Sequence, residues 1–75
     1  MAPAPAPKCS AKEQLIRRIR LVTDTIVAIN RAEMEAVLAR NALIEKTLER
    51  RLTLARQDRT HLLASLREHV SQHNC

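Results

Sequence analysis

The chain has no phenylalanine, tyrosine or tryptophan among its 75 residues, and it has no glycine. The side chains that bury the most surface are therefore missing, as is the residue that most readily forms turns. All three prolines lie within the first seven residues, so nothing after Pro7 breaks a helix by its chemistry. Without aromatic side chains, so short a chain buries little core, which argues against a compact catalytic domain.

Long apolar runs are also missing. The run "IVAI" at residues 26–29 is among the longest, whereas a membrane-spanning helix needs about 18 such residues. The N-terminal residues lack the pattern of a secretory signal, so we expect an intracellular protein, cytoplasmic or organellar, without a transmembrane span. The two cysteines, Cys9 and Cys75, do not form a disulfide framework, and we interpret them as ordinary thiols.

The first nine residues, "MAPAPAPKC", alternate alanine and proline. This composition favours an extended arm of polyproline-II geometry. Directly after it, "SAKE" at residues 10–13 matches a capping box, in which the Ser10 side chain accepts from the Glu13 backbone and Glu13 reaches back to Ser10. The pattern predicts that a helix begins at Ser10.

Beyond residue 13 the composition is dominated by strong helix formers, and apolar residues recur on one side of an ideal helix. The pattern predicts an all-α protein with one long, nearly straight amphipathic helix over about residues 10–72, roughly 95 Å long. Residues 73–75 are expected to form a frayed tail. The candidate partner-binding residues on this apolar side are Leu15, Ile19, Val22, Ile26, Ile29, Val37, Ile44, Leu48, Leu62 and Leu66.

An antiparallel helical hairpin is the alternative fold. The segments 30–36 and 56–61 have few large apolar residues, and a bend near Asn41 would bring Cys9 and Cys75 together. Neither segment has glycine or proline, so the sequence favours the continuous helix.

The apolar side suggests the function. Polar residues interrupt it, which makes a stable self-sufficient coiled coil a poor fit. We therefore expect a non-catalytic structural subunit that docks its amphipathic helix on a protein partner or larger complex, with coiled-coil self-association as a further interpretation.

Arginines account for much of the net charge of +5. The alternative function is thus a basic helix that binds RNA or another anionic polymer within a ribonucleoprotein. Acidic residues are spread among the arginines, and no aromatic side chain can stack on a base, so this interpretation ranks second. The candidate anion contacts are Arg17, Arg18, Arg20, Arg50 and Arg51. A third cluster, Arg56 and Arg59, also has the charge and reach for phosphate contacts.

Catalytic chemistry has little support in the sequence. His69 and His73 are one helical turn apart and near Cys75, but this set lacks a fourth metal ligand. A single helix offers no pocket in which catalytic groups converge. We predict no catalytic residue, no cofactor and no metal site.

Overall fold

The structure, a computed structural model, describes the backbone of residues 7–73 and the side chains of residues 10–72. Helix α1 spans Pro7–Leu38 and helix α2 spans Ala42–His73. The two helices pack against each other as an antiparallel hairpin. The predicted all-α class is confirmed in the hairpin form that was the alternative. The continuous straight helix over residues 10–72 is corrected, because the chain reverses between residues 38 and 42.

The chain reverses where the end of α1 meets the start of α2, and Asn41 takes part in both. Arg40 has a φ of 55°, the left-handed conformation that commonly ends a helix. Its N–H donates to the Val37 carbonyl at 3.0 Å, and the N–H of Asn41 donates to the Ala36 carbonyl at 2.9 Å. This pair of bonds is the Schellman arrangement, which satisfies carbonyls that the end of α1 would otherwise leave without donors.

Asn41 then starts the second helix. Its side-chain Oδ1 accepts from the N–H of Ile44 at 3.2 Å, and its carbonyl accepts from the N–H of Glu45 at 3.1 Å. These are the bonds of an N-cap residue, a position that asparagine favours. A hairpin bend therefore needs neither glycine nor proline here, which explains why the absence of both residues did not exclude it.

The helix ends differ from the predicted boundaries. Helix α1 already includes Pro7, so Ser10 lies inside the helix rather than at its cap. Proline is tolerated in the first turn because the N–H it lacks would have no partner within the helix. Helix α2 includes His73. Residues 1–6 of the predicted arm, residues 74 and 75 of the predicted tail, and the side chain of Cys9 lie outside the described part.

The core is a narrow seam between the helices. Its buried members are Val22, Ile29 and Ala36, which are 9%, 8% and 5% exposed and lie seven residues apart on α1. A seven-residue repeat is the spacing of helices that pack side by side as a coiled coil. The half-buried apolar residues that complete the seam are Leu15, Ile19, Ile26, Leu48, Leu52, Ala55, Leu62 and Leu66.

The hairpin is elongated. Its radius of gyration is 17.3 Å, whereas a compact domain of this length has a value of about 11 Å. In the described residues no side chain is fully buried, and nine large hydrophobic side chains are exposed. Neither described helix has an apolar stretch long enough to cross a membrane. Two helices alone thus leave much apolar surface in contact with solvent.

Candidate interaction surfaces

The predicted partner-binding residues divide into two groups in the hairpin. Val37 and Ile44, at the end of the hairpin near the turn, are 56% and 48% exposed. The other eight lie in the seam and are buried or half-buried: Leu15, Ile19, Val22, Ile26, Ile29, Leu48, Leu62 and Leu66. The periodicity of these eight is accounted for by packing between α1 and α2. Their contact with a partner stays a prediction.

One side of the seam opens into a groove between the helices. Leu21 from α1 and Leu54 from α2 line it, and they are 67% and 60% exposed. Val22, Ala55 and Leu62 of the seam line the same groove. Alanine at position 55 contributes only a methyl group, so this part of the seam is less filled than its neighbours. We call this surface the Leu21/Leu54 groove.

Charged and polar side chains also line the Leu21/Leu54 groove. Arg18 comes from α1, and Asp58 and His61 come from α2. A surface that combines apolar side chains with basic and acidic ones is typical of protein–protein contacts. The apolar residues at 21 and 54 were not among the predicted sites, because they lie off the main stripe and become neighbours only when the chain folds back at Asn41.

The opposite side of the hairpin carries a groove lined by two arginines. Arg56 and Arg59 of α2 line it with Thr23, Ile26, Val27 and Thr60. The Nε of Arg59 donates to the Thr23 Oγ1 at 3.2 Å, a hydrogen bond between the two helices. We call this surface the arginine groove. Both arginines belong to the arginine clusters that the sequence offered for phosphate contact, and that contact stays a prediction.

The predicted anion contacts do not form one cluster. Arg17, Arg18 and Arg20 are exposed on α1, and Arg50 and Arg51 are exposed on α2. Since the helices are antiparallel, Arg50 lies opposite about residue 31 of α1, some ten residues from Arg20, or roughly 15 Å along the axis. Arg18 lines the Leu21/Leu54 groove, whereas Arg50 lines a separate hollow with Lys46 and Glu49. The hairpin therefore separates the two arginine doublets.

Within the described residues no three histidine, cysteine or acidic side chains come close enough to hold a metal ion. The set of His69, His73 and Cys75 considered above is only partly covered by this finding, because the side chains of the last two lie outside the described part. The grooves are shallow surfaces between two helices, and their lining residues are mostly aliphatic, arginine or hydroxyl side chains.

The fold and its surfaces define an antiparallel helical hairpin with an apolar groove on one side and an arginine groove on the other. Comparisons of the chain with protein-family models, with curated proteins and with solved structures found no match.

Proposed function

We propose that this chain is a non-catalytic structural subunit that docks on a larger protein assembly through the Leu21/Leu54 groove. The observation that carries this proposal is the ratio of buried to exposed apolar side chains. Three apolar residues of the described part are buried, whereas nine large ones are exposed. A contiguous apolar surface on a small protein commonly marks a contact with another protein.

The groove suits an amphipathic helix from the partner. Its apolar lining comes from two helices, so a third helix placed along it would contact both and cover the less filled position at Ala55. Binding of a helix in an apolar groove is a recurrent mode of recognition. The seam residues Val22 and Leu62 line the same groove and would be covered further by such a helix. In this way part of the predicted partner-binding set serves both the hairpin and the complex.

The free energy of docking would come mainly from apolar burial. Complete removal of a leucine side chain from water is worth about 1.5–3 kcal/mol, and Leu21 and Leu54 are both largely exposed. Such burial responds weakly to salt, in contrast with binding to a polyanion. Docking through the groove should therefore persist when the salt concentration is raised.

The test compares two doubly substituted full-length chains as baits in native extracts at high salt. Leu21→Asp with Leu54→Asp places charges in the groove. Leu43→Asp with Val70→Asp is the matched control outside the groove, where the side chains are 78% and 41% exposed. We expect a protein retained in stoichiometric amount by the wild type and the control but lost by the groove variant. Equal retention by all three baits would contradict the groove assignment, provided that circular dichroism shows equal helicity.

The second candidate is binding of RNA or another anionic polymer, and the arginine groove favours it. Arg56 and Arg59 line it together, and their guanidinium groups are donors suited to phosphate oxygens. Titration with duplex and single-stranded RNA at about 50 and 200 mM salt separates the candidates, because two phosphate contacts alone would weaken binding about tenfold over this range. Tight binding that falls steeply with salt and is lost in Arg56→Glu would support the second candidate over protein docking.

A further inference from the structure

A second apolar surface lies on α1, away from the Leu21/Leu54 groove. Val27, Met34, Val37 and Leu38 are 48%, 67%, 56% and 81% exposed. The last three line one hollow together with Asn30 and Glu33. We call these four apolar residues the α1 stripe.

The α1 stripe is distinct from the seam. On α1 the buried seam residues lie at positions 22, 29 and 36. Val27 and Met34 are also seven residues apart, but they lie about 140° around the helix axis from Val22 and Ile29, respectively. Leu38 follows Met34 by one turn, so the spacing is that of an amphipathic face. Helix α2 covers the seam and leaves this face exposed.

We propose that the α1 stripe binds the α1 stripe of a second copy of this chain, in antiparallel orientation. A two-fold axis near Glu33 would bring Val27 of each copy close to Leu38 of the other. The same axis would bring Arg31 of each copy close to Glu35 of the other. Both charged side chains are exposed and lie along one edge of the stripe. The face thus provides apolar contacts and opposite charges in matching positions, as an isologous interface requires.

The local charge favours a second copy over an anionic partner. The chain as a whole carries +5, but the segment 27–38 has one basic residue, Arg31, and two acidic ones, Glu33 and Glu35. Arg56 and Arg59 of α2 lie beside only one end of the stripe, at Val27. Two copies that meet along the rest of this segment keep most of their arginines out of contact. A nucleic acid or an anionic membrane would gain nothing from a segment of this sign.

The hairpin as a whole exposes more surface than a compact monomer. The accessible surface is 6269 Å², roughly 1,600 Å² more than that of a compact monomer of the same mass. A standard interface removes about 800 Å² from each partner. Because the α1 stripe is only about 17 Å long, the contact belongs at the small end of this range, and we expect a reversible dimer at micromolar concentrations.

Analytical ultracentrifugation of the full chain over about 1–1,000 µM tests the proposal, because it covers the Kd values typical of small interfaces. We expect a monomer–dimer equilibrium in the wild type. Met34→Glu and, separately, Leu38→Glu should each raise the dimer Kd by at least about tenfold, which corresponds to 1.4 kcal/mol. Leu54→Glu is the matched control on the opposite groove and should leave the Kd within about twofold, a change of under 0.5 kcal/mol.

Charge exchange tests the orientation. Arg31→Glu should weaken the dimer, because it places two acidic side chains opposite each other. Arg31→Glu combined with Glu35→Arg should restore the dimer, because residues 31 and 35 then again carry opposite charges, both between the copies and within each helix. A monomer over the whole range, an equal effect of Leu54→Glu, or failure of the double exchange to restore the dimer would overturn the proposal. These outcomes are independent of docking at the Leu21/Leu54 groove, which the bait comparison tests separately.

Discussion

The hydrogen bond from Arg59 Nε to Thr23 Oγ1, at 3.2 Å, joins the two helices at a seam position where an apolar residue would be expected. Arg59 lies four residues after Ala55 and three before Leu62, so it continues the seven-residue spacing of the α2 seam. Its side chain is nevertheless exposed and lines the arginine groove. The hairpin thus places a charged group beside Ala55, in a part of the seam that contributes little apolar burial.

Replacing this arginine tests its place in the seam. We expect Arg59→Leu to raise the free energy of unfolding by about 1 kcal/mol, because a leucine at this spacing packs against α1. Urea titration at fixed low chain concentration measures the change, and Arg56→Leu is the control in the same groove but off the seam. The control should change stability by less than about 0.5 kcal/mol. A lower midpoint for Arg59→Leu would mean that the bond to Thr23 contributes more than apolar packing.

The turn makes a second prediction. Arg40 adopts φ 55°, which costs an L-residue with a Cβ atom more than it costs glycine. We expect Arg40→Gly to stabilise the hairpin by about 0.5–1 kcal/mol, measured by thermal unfolding followed by circular dichroism. Ala39→Gly is the control, since residue 39 does not have a positive φ and glycine there only adds freedom to the unfolded chain. Equal effects of the two substitutions would contradict the left-handed turn.

The cap of α2 makes a third prediction. The Asn41 side chain accepts from the Ile44 N–H, so Asn41→Ala removes an N-cap interaction. We expect a loss of about 1 kcal/mol, seen as a lower midpoint in urea. Asn41→Asp keeps an acceptor at the same position and should retain most of the stability. Full stability of Asn41→Ala would show that the cap is not needed for the hairpin.

Sequence periodicity predicted the helices and most of the seam, because the spacing of apolar residues depends only on helix geometry. It did not favour the hairpin over the continuous helix, although the alternative fold had its bend near Asn41, where the chain reverses. A continuous amphipathic helix and a hairpin place the same residues, such as Leu15 and Leu66, on an apolar stripe. The two folds differ in the conformation of Arg40 and in the cap that Asn41 forms. Without a glycine at the turn, the sequence indicates these local features only weakly. Asn41 was the informative residue, since asparagine favours both helix caps and turns.

The candidate surfaces were also hard to predict from the sequence, because they depend on where the chain reverses. Leu21 and Leu54 are 33 positions apart, and their meeting in one groove follows only from the reversal at residues 39–41. Arg59 and Thr23 likewise meet across the seam. Conversely, the arginine doublets at 17–18 and 50–51 have similar sequence surroundings but lie at different levels of the hairpin. These relationships can be predicted only once it is known which residues of α1 lie opposite which residues of α2.

The last prediction measures the reversal directly by electron–electron spin-label distances. Labels at Gln14→Cys and Arg67→Cys, with Cys9 and Cys75 replaced by serine, lie on opposite helices at the same level, and both native side chains are exposed. Helix axes in contact are about 8–10 Å apart, so we expect a label separation below about 30 Å. In a straight helix the same 53-residue offset would give about 80 Å.

A second label pair controls for the position of the bend. Gln14→Cys with Thr47→Cys should give about 30 Å in the hairpin, because residue 47 lies opposite about residue 34, and about 50 Å in a straight helix. Dilution with unlabelled chain removes distances between copies, which keeps the result independent of any dimer. Long distances for both pairs would overturn the hairpin. A short Gln14–Arg67 distance combined with about 50 Å for Gln14–Thr47 would place the reversal after residue 47 and contradict the turn at Arg40 and Asn41.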